Sequence, residues 1–159
     1  MGKVTAGVGL LVWIALSLLA GVIGSLFTAH SVTTWYVALA KLSWTPPSWL
    51  FGPVWTVLYL LMGLAAWLVW RKGGFAAATA PLALFLVQLA LNTTWPILFF
   101  GLRRPGLAFG EIVLLWCFIL ATTIAFWCRR PAAAYLMLPY LGWVSFALAL
   151  NLSIWRLNS

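Results

Sequence analysis

Five apolar stretches, separated mostly by short basic turns, occupy nearly the whole chain. Crossing the hydrocarbon of a bilayer as a helix takes about 20 mostly apolar residues. The stretches run over residues 6–29, 47–70, 78–102, 105–128 and 132–155, and each reaches that length. The last four end at Arg71-Lys72-Gly73-Gly74, Arg103-Arg104, Arg129-Arg130 and Arg156. The pattern predicts an all-α membrane protein, a bundle of five transmembrane helices forming one domain over residues 1–159. Connections after the second, third and fourth spans are short, so consecutive helices are expected to be antiparallel neighbours. The one long linker, residues 30–46, is expected to fold over the bundle as a lid-like loop, with a short amphipathic helix over Val32–Ala40.

The first stretch is longer than the apolar core of a signal peptide, and only Lys3 precedes it as a charge. Ser17, Gly21, Ser25 and Ala29 recur at a spacing of four and would let another helix approach closely. A retained helix is expected. Charged residues make up 6% of the chain, against about 25% in soluble domains. The net charge of +8 lies in turns and at the ends. It suits anionic headgroups and excludes a nucleic-acid face, which needs clustered cations on polar surface. The positive-inside rule does not orient the chain. Lys3, Arg71, Lys72, Arg129 and Arg130 on one face oppose Lys41, Arg103, Arg104 and Arg156 on the other. Cys117 and Cys128 fall in one span roughly 16 Å apart, too far for a bridge, and are expected to be packing residues. His30 has no titratable neighbour in sequence and is expected at the interface.

The segment from Trp44 to Tyr59 differs from the rest. Three Pro, three Trp, a Tyr and a Gly gather where the linker enters the second span. Thr45-Pro46-Pro47 forms a stiff entry, since Pro suits the first helical turn and holds its predecessor extended. Trp44 and Trp49 sit at headgroup level. Trp55 and Tyr59 share a helix face inside the hydrocarbon. This segment is expected to be the mouth and one wall of a ligand pocket.

Depth counted from the linker face gathers further residues. At about 1.5 Å per residue, Trp55, Tyr59, Asn92, Trp95, Glu111, Trp143 and Asn151 all fall between that face and roughly the midplane. They come from four spans, which argues for a pocket open toward the linker. Ala147, between Trp143 and Asn151, leaves room. Pro96 lacks the N–H that would bond the Asn92 carbonyl. Gln88, Asn92 and Asn151 are either interhelical hydrogen bonds or ligand contacts. Glu111, the sole acid, is either a partner of Arg103 and Arg104 or a ligand contact. Gly106 and Gly110 form a G-x-x-x-G pattern expected to pack tightly on a neighbour. No nucleophile with a base, carboxylate pair, phosphate loop or metal cluster is visible, so no catalytic constellation or metal site is expected.

Several motifs in order resemble the tryptophan-rich sensory protein and mitochondrial translocator protein family (TspO/MBR), the peripheral-type benzodiazepine receptors. They are Trp35-Tyr36, Lys41-Leu42-Ser43-Trp44-Thr45-Pro46-Pro47-Ser48-Trp49 and Phe51-Gly52-Pro53-Val54-Trp55. Leu91-Asn92, Trp95-Pro96, Pro139-Tyr140-Leu141-Gly142-Trp143 and Leu150-Asn151 follow. The resemblance implies a homodimer of five-helix bundles, with no obligatory cofactor. It implies a pocket for porphyrins such as protoporphyrin IX and haem, and for isoquinoline carboxamide and benzodiazepine ligands. The implied ligand-binding residues are Trp55, Tyr59, Asn92, Trp95, Trp143 and Ala147, with Trp35 and Trp44 in or beside the lid. Leu150 and Asn151, from the last span, join this candidate set. Mitochondrial members also bind cholesterol, through a motif with a Tyr where this chain has Leu152. The expected function is tetrapyrrole binding for sensing, sequestration or transport. The alternatives are light-dependent porphyrin breakdown, with Trp35 and Trp143 as candidate redox residues, and sterol or porphyrin transport. Either a bacterial envelope or the mitochondrial outer membrane fits as host.

Overall fold

The computed structural model describes residues 3–159, all helices and turns without a strand. The long helices are α1 (Lys3–Thr33), α3 (Phe51–Trp70), α5 (Thr79–Pro96), α6 (Pro105–Arg129) and α7 (Pro131–Leu157). Two single-turn helices, α2 (Trp35–Ala38) and α4 (Gly74–Ala77), lie in the connections. A 3-10 turn over Ser48–Leu50 leads into α3, and a π-helical turn over Ile97–Gly101 extends α5. With these extensions, five helices are long and apolar enough to cross a membrane.

Sequence pattern explains the boundaries. Pro105 and Pro131 open α6 and α7, at the first-turn positions where a missing N–H costs nothing. Thr45-Pro46-Pro47 stays outside the helix, and Pro47 is extended at φ −61°, ψ 142°. Pro96 ends the regular part of α5. Beyond it the ladder widens, and the Leu102 N–H donates to the Ile97 carbonyl five residues back at 2.8 Å. Such a π turn absorbs the register that a proline disturbs. The turn closes at Arg103, in the left-handed region at φ 54°.

The long helices form a closed ring in the order α1, α3, α7, α6, α5. Here the structure corrects the expectation that every short connection joins neighbours. α3 and α5 flank α1 and touch each other only marginally. Their connection packs against α1, where Phe75 stacks on Trp13 at 6.4 Å between ring centres. The linker helix is also shorter than expected. Val32 and Thr33 belong to α1, and only Trp35–Ala38 coil separately. Cys117 and Cys128 are free and exposed, turned outward from α6, so they are not packing residues. Of the G-x-x-x-G pair, Gly106 packs on Trp155 within the chain, while Gly110 has open space around it.

Small residues let α1 and α3 close together. A Cβ on Gly63 would lie 2.7 Å from the Ile14 Cα and 2.9 Å from the Trp13 carbonyl oxygen. Both are backbone atoms and cannot move aside. Gly63→Ala should therefore lower the stability of the detergent-solubilised protein by about 1–3 kcal/mol. Gly110→Ala should leave the thermal midpoint unchanged. Equal midpoints for both variants would show that this close approach does not hold the two helices.

Candidate functional site

The half of the bundle nearest the linker encloses a cavity of about 300 Å³. Two aromatic pairs wall it. Trp55 and Tyr59 of α3 lie 5.7 Å apart at 30°, and Trp95 and Phe99 stack at 5.0 Å and 22°. Trp143, Ala147, Leu150 and Asn151 of α7 form the opposite wall. Tyr36 and Phe51, edge to face at 6.3 Å, border it from the linker and the start of α3.

A chain of hydrogen bonds fixes its floor. The Tyr59 hydroxyl donates to Asn92 Oδ1. Asn92 Nδ2 donates to the Tyr140 hydroxyl at 2.7 Å, and that hydroxyl donates to Gln88 Oε1 at 3.0 Å. Three helices are joined, and every member is buried. A second chain closes the linker end. Trp95 Nε1 donates to Asn151 Oδ1 at 3.0 Å, and Asn151 Nδ2 donates to the Pro105 carbonyl at 2.8 Å. Gln88 is an interhelical residue away from the cavity. Asn92 and Asn151 both bond across helices and line the hollow. Each amide keeps one N–H and one oxygen lone pair beyond these bonds.

Two residues that line the cavity carry a buried polar atom without a hydrogen-bond partner. These atoms are Trp143 Nε1 and the Tyr36 hydroxyl. Tyr36 lies in the linker, and burial pushes its pKa up to about 12. It therefore remains a neutral donor at any working pH. The linker itself is held from both sides. Lys41 Nζ donates to the carbonyls of Tyr36, Val37 and Leu39 at 2.6, 3.0 and 2.9 Å. Asn158, just past α7, exchanges two hydrogen bonds of 3.0 Å with the Ala40 backbone.

Of the residues singled out in the sequence, Trp55, Tyr59, Asn92, Trp95, Trp143, Ala147, Leu150 and Asn151 come together around the cavity. Trp35 and Trp44 do not reach it. Trp35 sets its ring edge-on to Phe99 at 5.6 Å, so the next residue round the turn, Tyr36, borders the cavity instead. Trp44 is exposed in the linker and covers Phe146. Of the two roles open to Glu111, neither is taken up: it does not pair with Arg103 or Arg104, and it does not line the cavity. Both Glu111 oxygens are buried without a partner, while both arginines are exposed in the turn before α6. Seven residues of helix put roughly 10 Å between Arg104 and Glu111 along the axis. His30 is exposed in the last turn of α1 and takes no part.

The wall supplied by α1 was not foreseen. Leu18, Gly21, Val22 and Ser25 border the cavity. The stripe of small residues was its signal, and it serves two purposes. A Cβ on Gly21 would lie 2.5 Å from the Tyr59 ring, and the space left beside it belongs to the cavity. The direction of opening also differs from expectation. Val22 and Ser25 of α1 and Gly52 and Thr56 of α3 line the cavity and are exposed. The hollow therefore opens sideways between α1 and α3, with Tyr36 buried over its linker end. Among the described residues, no His, Cys, Asp or Glu cluster could hold a metal ion.

The hydrogen-bonded floor makes a quantitative prediction. In a double-mutant cycle of Tyr140→Phe and Gln88→Met, thermal stability should show a coupling of about 0.5–1.5 kcal/mol. Additive losses would show that the two side chains do not act as one unit.

Comparison with known proteins agrees with this architecture. A sequence model of the TspO/MBR family matches residues 13–156. The chain is 45% identical over 139 residues to the tryptophan-rich protein TspO of Archaeoglobus fulgidus, covering 87% of this chain and 90% of that one. It is 45% identical over 138 residues to the human translocator protein, covering 86% and 82%. It is 42% identical over 124 residues to the tryptophan-rich sensory protein of Cereibacter sphaeroides, covering 78% and 77%.

Proposed function

Because the chain belongs to the TspO/MBR family of multi-pass integral membrane proteins, we propose that its cavity binds a flat, conjugated, largely apolar ligand, a tetrapyrrole such as protoporphyrin IX or haem. The observation that carries this reading is the pairing of aromatic faces, Trp55 with Tyr59 and Trp95 with Phe99, around one hollow. Such faces stack on a conjugated ring and hold little rotamer freedom of their own. The spare N–H groups of Asn92 and Asn151 suit carbonyl or carboxylate substituents at the ring edge. Isoquinoline carboxamides, which combine a fused ring with an amide carbonyl, fit the same chemistry. The role is sensing, sequestration or transport of porphyrin, and the assembly is a homodimer.

Light-dependent breakdown of porphyrin is the second reading. What favours it is a run of touching rings. Trp35 meets Phe99, which stacks on Trp95 at the cavity, and Trp143 stands on the opposite wall. Illumination with protoporphyrin IX separates the two readings. One defined product that is lost in Trp35→Phe and Trp143→Phe indicates chemistry. Unchanged bound porphyrin indicates binding alone.

Binding itself is tested by titrating tryptophan fluorescence with protoporphyrin IX. Ala147→Phe puts a ring into the hollow and should weaken binding at least about tenfold, while Trp143→Phe should cost about three- to tenfold. Quenching at wild-type affinity in Ala147→Phe would place the ligand elsewhere.

A further inference from the structure

We propose that the face opposite the linker holds a binding site for the phosphate of an anionic phospholipid, in a hollow between Lys72 and Arg129. The hollow measures about 120 Å³ and is floored by Val69, Ala77 and Ala78. Lys72 reaches it from the turn after α3, and Arg129 from the last position of α6. Arg71 and Arg130 stand beside them in sequence.

The protein supplies no counter-charge here. Glu111 is the one acid in the sequence, and it lies roughly 27 Å along α6 from Arg129. Arg71 leans on the Trp67 ring, 4.6 Å from its centre, and Arg130 Nε is buried without a hydrogen-bond partner. Helix C-terminal carbonyls offset only a fraction of a charge each. Arg71, Lys72, Arg129 and Arg130 therefore share one end of the bundle without an acidic partner, and an outside anion lowers their mutual repulsion. On the linker face Lys41 is already bonded to three backbone carbonyls, and the exposed Arg103, Arg104 and Arg156 line neither the cavity nor this hollow.

Location identifies the anion. The hollow lies where the spans end. Nearby, Trp127 and Tyr135 pair edge to face at 5.3 Å and are 50% and 58% exposed. Exposed aromatic pairs of this kind sit at headgroup level. The anion concentrated at that level is a lipid phosphate, and basic pockets between membrane helices suit such headgroups. An arginine grips phosphate oxygens in pairs, and a lysine adds a point charge. The site is separate from the cavity and does not depend on what the cavity binds. It also supplies an orientation that the balanced charge count does not, with this face in the leaflet richer in anionic lipid.

Native mass spectrometry of the full chain tests the proposal, after exchange with an equimolar mixture of phosphatidylglycerol and phosphatidylcholine. The wild type should retain phosphatidylglycerol in preference by a factor on the order of ten. Lys72→Gln/Arg129→Gln should bring the ratio near one. Lys72→Arg/Arg129→Lys and Arg103→Gln/Arg104→Gln should each keep it, which separates loss of the site from loss of charge or of fold. Millimolar inorganic phosphate should leave the lipid in place. Equal retention of both lipids by the wild type overturns the proposal, as does an unchanged preference in Lys72→Gln/Arg129→Gln. Displacement by inorganic phosphate would show a free-anion site and overturn the lipid assignment.

Discussion

Inside a bilayer there is no water to satisfy a polar side chain, so an unpaired one is costly and a partner on another helix or on its own backbone is favoured. The chain from Tyr59 through Asn92 and Tyr140 to Gln88 meets that demand across α3, α5 and α7. Each member uses the next in a single direction. Asn92 offers its oxygen to Tyr59 and its nitrogen to Tyr140, which fixes the orientation of the amide. Isolated, such bonds contribute only about 0.6 kcal/mol on average in a membrane protein. Linked in series, they set the rotation of three helices about their axes. That rotation decides which residues face inward, and the cavity is the space left above the chain.

How far the sequence disclosed this depends on which signal each element carries. The five spans were legible because length and hydropathy alone select them. Depth was legible too, since 1.5 Å per residue is a fixed ruler, and it gathered Trp55, Asn92, Trp95 and Asn151 from three spans. Rotation about a helix axis was less legible. Spacing shows that Trp35 and Tyr36 point about 100° apart, but not which of them turns inward. The neighbours Phe99 and Phe100 decide that, from another helix. Glu111 and its arginines are close in sequence but separated by two turns of helix, so proximity along the chain misled. The part played by α1 was hidden for a different reason. A wall made of Gly21, Val22 and Ser25 has no chemistry to notice, and its contribution is the room it leaves.

The ring order α1, α3, α7, α6, α5 follows from packing and not from loop length. The connection after α3 is short, yet it packs against α1, where Phe75 meets the Trp13 ring. Seating α1 between α3 and α5 has a consequence at the other end. Gly63 holds α3 against α1 at Trp13 and Ile14, while nearer the linker the Tyr59 ring lies against Gly21 of α1. Nearer the linker, the exposed Val22 and Ser25 of α1 and Gly52 and Thr56 of α3 border the opening.

An opening toward lipid changes the energetics of the hollow. A sealed, dry cavity of about 300 Å³ would cost on the order of 7 kcal/mol, at about 24 cal/mol per Å³. That is comparable with the whole stability of many domains, about 5–15 kcal/mol. A gap between α1 and α3 removes most of this cost, because an acyl chain can enter where water would not. A ligand arriving from the bilayer then displaces lipid and not water, and it gains little from the hydrophobic effect. What remains to distinguish it is shape, ring stacking and a few oriented donors. Rigid indole and phenol faces and locked amides supply those, whereas flexible aliphatic side chains would collapse into the space or match lipid equally well.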